Sequence, residues 1–177
     1  KPIGAELKAS VTELQWIVDV YNFVYASLLL TAGTLADLYG RRRIFALGIA
    51  LFTLGTVVCG LAPDVTTLVA GRAVAGLGAA LEMSASLAIL TIAYPDTKER
   101  TRALGIWASC YGIAIVIGPT AGGALVDASG WRSIFLLIIP FCLMTLALVM
   151  TVVPESSNPQ GRRLDLPACR RWRTACQ

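Results

Sequence analysis

The chain has 177 residues, 56% of them drawn from Ala, Val, Ile, Leu, Met, Phe, Trp, Tyr and Cys, with 16 glycines in addition. Soluble proteins reach about 45–50% with glycine included and carry roughly 25% charged residues, whereas only 15% of this chain is charged and its mean hydropathy is +0.69. Disorder, collagen and a secreted disulfide scaffold are excluded, and the lack of any histidine removes Ser-His-Asp triads, Cys-His proteases and His-ligated metals.

The net charge of +4 and pI near 9.0 raise the question of nucleic acid. The placement of the basic residues answers it. Most of them sit at the ends of long apolar runs, as membrane anchors do, and no basic stripe interleaves with aromatics, so no nucleic-acid partner is expected. Cys59, Cys110 and Cys142 fall inside apolar runs and Cys169 and Cys176 near the C-terminus. With no C-x-x-C pair, all five are read as small apolar fillers without disulfides.

A helix needs about 20 apolar residues to cross roughly 30 Å of hydrocarbon. In chain order the first such stretch is 14–36, interrupted only by Asp19. Residues 44–62 follow without a charge, then 65–93 with Arg72 and Glu82, then 103–126, uncharged but glycine-rich and carrying Pro119, then 133–153, again uncharged. A membrane helix tolerates an internal proline where neighbours or water re-satisfy the freed carbonyl. Residues 1–153 therefore form one membrane domain of five spans. After Pro154 the composition turns polar, then rich in Arg, Cys and Trp, and 154–177 is expected to be a cytoplasmic tail.

Orientation follows from the arginines and lysines, which stay in the cytoplasm. One side collects Arg41, Arg42, Arg43, Lys98, Arg100, Arg102, Arg162, Arg163, Arg170, Arg171 and Arg173; the other has only Lys1, Lys8 and Arg132. The C-terminus is expected inside and, across five spans, the N-terminus outside. An exported Lys1 without a signal peptide implies a preceding span that would complete a six-helix unit.

Three motifs stand out. Gly33-x-Leu35-Ala36-Asp37-x-x-Gly40-Arg41-Arg42-Arg43 joins two spans. In it Gly33 permits close helix approach, Gly40 supplies a turn with positive φ, and Asp37 can pair with Arg41 or cap the next helix; Arg42 and Arg43 serve as topology anchors. The second is LVAGRAVAGLGAAL, containing Arg72 and Gly76. The third, GPTAGG, holds Gly118, Pro119, Gly122 and Gly123, with Gly118 and Gly122 forming a small-x-x-x-small face on which another helix can close.

These strings resemble, in order and spacing, the signature motifs of the major facilitator superfamily of secondary transporters. LQWIVDVYNFVYASLLLTAG, GPTAGG and Trp131-Arg132 ahead of Pro140 resemble its fourteen-span drug:proton antiporters of the EmrB/QacA type, over residues 1 to about 166. Ala114 stands where such antiporters usually place a glycine, and Leu38 where a basic residue is common. The resemblance implies an all-α polytopic protein of the plasma membrane, five helices of a six-helix facilitator half, whose second half is missing. It implies proton-coupled export of amphipathic, often cationic drugs or antibiotics, with lipid and the solute as partners and no cofactor. Up to Pro167 the C-terminal stretch resembles the lead-in to a further span; beyond it a truncated or frame-shifted reading frame and a basic membrane-surface anchor both fit.

Charges inside spans cost at least ~2.5 kcal/mol near the bilayer centre and so mark function or pairing. Asp19 and Arg72 lie about 8 and 10 Å deep in their spans, where a structural ion pair and a proton relay are both open. Glu82 is ten residues beyond Arg72, roughly 15 Å along one helix, too far for direct pairing. Near mid-span it is a candidate coupling or cation-binding carboxylate that takes up and releases a proton as the cavity opens to either side; the alternative is an acid that only snorkels into a wet cavity. Gly76-Leu77-Gly78 is no dinucleotide loop, because Leu81 occupies the third glycine's place, and no G-x-x-x-x-G-K-[ST] exists to use ATP; transport would draw on an ion gradient. The rival reading is a non-transporting membrane interaction protein or an inactive remnant of a carrier. An enzyme is not expected.

Overall fold

The structure, a computed structural model, describes residues 3–154. Residues 1–2 and 155–177 lie outside this range, and with them Lys1, Cys169, Cys176, the five arginines from Arg162 to Arg173 and the two readings of the tail. Among the described residues there is no strand. The elements are α1 (Ile3–Glu6), α2 (Val11–Tyr39), α3 (Arg41–Leu61), α4 (Val65–Ala93), α5 (Thr97–Ser129) and α6 (Arg132–Val152). From α2 onward each helix is long and apolar enough to cross a membrane. The chain is a multi-pass membrane protein.

Helix starts are set by side chains that satisfy orphan amides. Ser10 opens α2 with a capping box, its Oγ accepting from the Glu13 amide at 3.3 Å while Glu13 Oε2 accepts from the Ser10 amide at 2.8 Å. Asp64 accepts from the Thr67 amide at 2.8 Å to open α4, and Asp96 accepts from the Lys98 and Glu99 amides at 2.9 and 3.1 Å to open α5. Two sharp turns depend on glycine. Gly40, φ 101°, alone separates α2 from α3, and Gly130, φ 82°, separates α5 from α6; L side chains rarely adopt this half of backbone space.

Helix α4 is the hub, packed most extensively on α3 and next on α2, while α6 covers α3. The α3–α4 crossing is a glycine seam with a spacing of seven on each helix. A Cβ on Gly55 would stand 2.5 Å from the Ala75 amide nitrogen and 2.6 Å from the Gly71 carbonyl oxygen, and one on Gly48 would stand 2.7 Å from the Glu82 amide nitrogen. Backbones can approach this closely only where no side chain intervenes, which is how membrane helices gain contact without a hydrophobic driving force. Gly33 has no part in such an approach, contrary to expectation: nothing lies within 4 Å of a Cβ there. The close face of α2 is formed instead by Ala32 and Ala36, 1% and 0% exposed, and Gly33 is turned about 100° from Ala32.

Two apolar clusters brace the ends of the bundle. Ala36, Ile44, Phe45, Leu81, Ala85 and Val149 pack near the Gly40 end, and Ile17, Cys59, Ala62, Leu68 and Trp131 near the opposite one. There α1, a single turn of helix, is tied down by a polar clasp. Trp131 Nε1 donates to Glu6 Oε2 at 3.0 Å, Arg132 pairs with Glu6 Oε1, and Arg132 Nη2 donates to the terminal Ala62 carbonyl at 3.0 Å. These bonds hold the Glu6 carboxyl below the usual glutamate pKa, the Arg132 bond contributing most. The outward surface is apolar, with Phe23 73% and Val116 74% exposed, as lipid rather than water requires. Helix α5 buries none of its residues.

Candidate functional site

Between the two end clusters, in the middle third of the bundle, lies a cavity of about 590 Å³ bordered by all five long helices. Its one charged wall residue is Glu82 on α4. The glycine seam sets that position, since the Glu82 backbone rests against Gly48. Glu82 makes no hydrogen bond or ion pair among the described residues. The remaining wall is aromatic and weakly polar: Tyr21, Asn22 and Tyr25 from α2, Phe52 from α3, Trp107 and Tyr111 from α5, and Phe141 and Thr145 from α6.

The rings come as plates one helical turn apart. Tyr21 and Tyr25 are parallel to within 4°, with centroids 6.3 Å apart, and Trp107 and Tyr111 to within 5° at 6.2 Å. Side chains at i and i+4 share a helix face, so α2 and α5 each present a two-ring wall to the cavity. A ring face carries partial negative charge and attracts a cation. One carboxylate among aromatic walls is chemistry suited to an amphipathic cation. The sequence reading singled out Glu82 but not these rings, although the i, i+4 spacing of Tyr21/Tyr25 and of Trp107/Tyr111 was the available signal.

Asp19 and Arg72 do not form the pair that the sequence left open. Arg72 Nε donates to the Ile17 carbonyl at 3.1 Å, and its guanidinium lies over the Tyr21 ring, 4.1 Å from the centroid. Ile17 and Tyr21 lie on the face of α2 toward α4, whereas Asp19, two residues from Ile17, is turned about 200° away and is exposed. Arg72 and Glu82 are likewise apart. Cys110 and Cys142 also border the cavity, Cys110 being exposed, whereas Cys59 is fully buried. Among the described residues all three are free thiols.

At the α2–α3 joint Asp37 takes the pairing role and does not cap α3: Arg41 donates to its Oδ1 through Nη2 at 2.8 Å and Nε at 3.2 Å. Arg42 is more than a topology anchor. Its Nη2 donates to the Met150 carbonyl in the last turn of α6, where a cation meets the negative end of the helix dipole. The third motif is placed on α5, and its glycine face is not used by the neighbouring helices: Gly118 and Gly123 have nothing within 4 Å of a Cβ, and Gly122 only Ile134 Cδ1 at 3.9 Å. Pro119, beside them, is exposed.

A profile of the Major Facilitator Superfamily matches residues 1–175. The multidrug resistance protein Stp of Mycobacterium tuberculosis (strain CDC 1551 / Oshkosh) is 48% identical over 153 residues, covering 86% of this chain and 28% of that protein. The methylenomycin A resistance protein of Streptomyces coelicolor is 39% identical over 170 residues, covering 96% of this chain and 36% of its own length. The chain thus spans about a third of the length of the curated relatives it matches. In fold it is similar to a crystal structure of a peptide transporter POT in complex with sulfate, with a TM-score of 0.77 at 16% identity over 96% of this chain and 36% of that one.

Proposed function

The chain belongs to the major facilitator superfamily, and on that premise we propose that it contributes its helices to a carrier exporting drug-like or antibiotic solutes in exchange for protons. The observation that carries this reading is Glu82: a carboxylate with no hydrogen-bond or ion-pair partner among the described residues, in an aromatic-walled cavity at mid-depth of the bundle. Secondary transporters place substrate and coupling ion near the bilayer midplane. A cation and a proton compete for one carboxylate, which is the simplest form of exchange. The names of the relatives, a multidrug and an antibiotic resistance protein, support the solute class.

The remaining residues take roles around this exchange. Asp37 and Arg41 latch the α2–α3 joint, whose arginines face the cytoplasm of a plasma membrane, so that the C-terminus lies inside and the N-terminus outside. The loosely covered glycine face of α5, with Gly118, Pro119, Gly122 and Gly123, is suited to a helix of an opposing half that rocks against it. Asp19 is exposed on α2, turned away from Arg72. No cofactor is required, the proton gradient being the energy source.

The test is a chimera in which the chain replaces its matching segment in the Mycobacterium tuberculosis relative, assayed for ethidium efflux driven by an imposed proton gradient. Glu82→Gln is expected to abolish gradient-driven efflux while the protein still inserts and folds. Unchanged coupled efflux would refute the assignment.

A further inference from the structure

Tyr21 belongs to two sites at once. Its ring borders the cavity that holds Glu82, and the same ring carries the Arg72 guanidinium 4.1 Å from its centroid. The backbone fixes this double role. A Cβ on Gly76 would stand 2.7 Å from the Tyr21 carbonyl oxygen and 3.3 Å from its Cα, so α2 and α4 touch at Tyr21, at a point between Arg72 and Glu82 along α4. Among the described residues no carboxylate holds Arg72; besides the ring it has the Ile17 carbonyl. The Tyr21 hydroxyl makes no hydrogen bond among the described residues, so the ring itself is what the two sites share.

A ring attracts a cation through its negative face, while two cations beside one ring repel each other, and weakly polar surroundings strengthen that repulsion. We propose that Tyr21 is a positioning residue that couples the central cavity to Arg72: seating a cation beside Tyr21 and holding Arg72 on the same ring weaken each other. This rests on the reading of the cavity as a cation site. Linkage makes the effect reciprocal. Loading the cavity loosens Arg72 from α2, and withdrawing Arg72 tightens the cavity, so the contact between α2 and α4 registers whether solute is bound.

The test is a double-mutant cycle on the chain in detergent micelles, with binding of tetraphenylphosphonium read by equilibrium dialysis. Arg72→Gln is expected to tighten the probe about two- to fivefold, the scale of one cation–π contact, with either Tyr or Phe at position 21. With Tyr21→Leu the same change is expected to have no effect. Should the leucine variant fail to fold, pentafluorophenylalanine at position 21 takes its place, since it keeps the ring's shape and removes its negative face. An equal effect of Arg72→Gln with and without the aromatic face overturns the proposal. Glu82→Gln in the same assay separates the two claims. If it leaves binding undiminished, or if the unaltered chain does not bind the probe, the cation site falls and the coupling with it; weakened binding with an additive cycle removes the role of Tyr21 alone.

Discussion

Two alanine substitutions of the same chemistry should have opposite effects on stability, because one glycine lies in the α3–α4 seam and the other does not. A Cβ at Gly55 meets the Ala75 nitrogen at 2.5 Å, the Gly71 oxygen at 2.6 Å and the Ala75 Cα at 2.9 Å, all backbone atoms that cannot swing aside. Ordinary contact needs about 3.5 Å or more, so the helices must separate locally by about 1 Å, and overpacking of this kind costs about 1–3 kcal/mol. Replacing glycine by alanine inside a helix gains about 0.5–1 kcal/mol, a gain common to both sites. Gly33→Ala has only that gain, since nothing lies within 4 Å. The difference between the variants is therefore the steric cost alone, about 2–12 °C in melting temperature at about 2–4 °C per kcal/mol for a chain of this size. Thermal unfolding of the two purified variants in one detergent measures it. Equal melting temperatures would refute the seam.

Three further outcomes follow from named contacts. Arg42→Gln should cost about 0.5–1.5 kcal/mol by releasing the Met150 carbonyl, more than Arg41→Gln, whose i, i+4 pair is worth about 0.3–0.5 kcal/mol; melting curves of the two rank them. Ser10→Ala should remove the α2 capping box and about 1 kcal/mol, read as faster hydrogen exchange confined to the first turn of α2. The Glu6 carboxyl, lowered below 4.5 by Arg132 and Trp131, stabilises the clasp above its unfolded pKa and loses that contribution as pH falls through the lowered value. A pH series of melting temperatures should thus bring the chain and Glu6→Gln together at acid pH and apart near neutrality.

Much of the fold was legible because lipid imposes simple rules. An uncharged stretch such as 133–153 has the length and composition of a span, and the observed α6 (Arg132–Val152) occupies almost the same residues. Helix α5, in contrast, runs from Thr97 to Ser129, well past the apolar 103–126, because Asp96 caps it in the polar layer and hydropathy is blind to capping. The site was legible only in part. Glu82 was visible as a charge with a cost; its aromatic walls were not, because Tyr and Trp in a span read as ordinary apolar residues until the helices are set side by side. Arg72 was assigned a possible carboxylate partner by depth alone, but rotation about the helix axis decides, and it places Tyr21 rather than Asp19 under the guanidinium. Glycine spacing misled in the same way. Gly118 and Gly122 have the small-x-x-x-small pattern yet make no close helix approach, while the seven-residue repeat of Gly48, Gly55, Gly71 and Gly78 makes the close crossing.

The most direct test of proton-for-cation exchange at Glu82 is a titration. Tetraphenylphosphonium is added to the purified chain in weakly buffered detergent solution, and the protons released are counted at successive pH values. Binding should release protons from the unaltered chain, and Glu82→Gln should release none. Release of the same size from both, or binding with no release at any pH, would contradict the account.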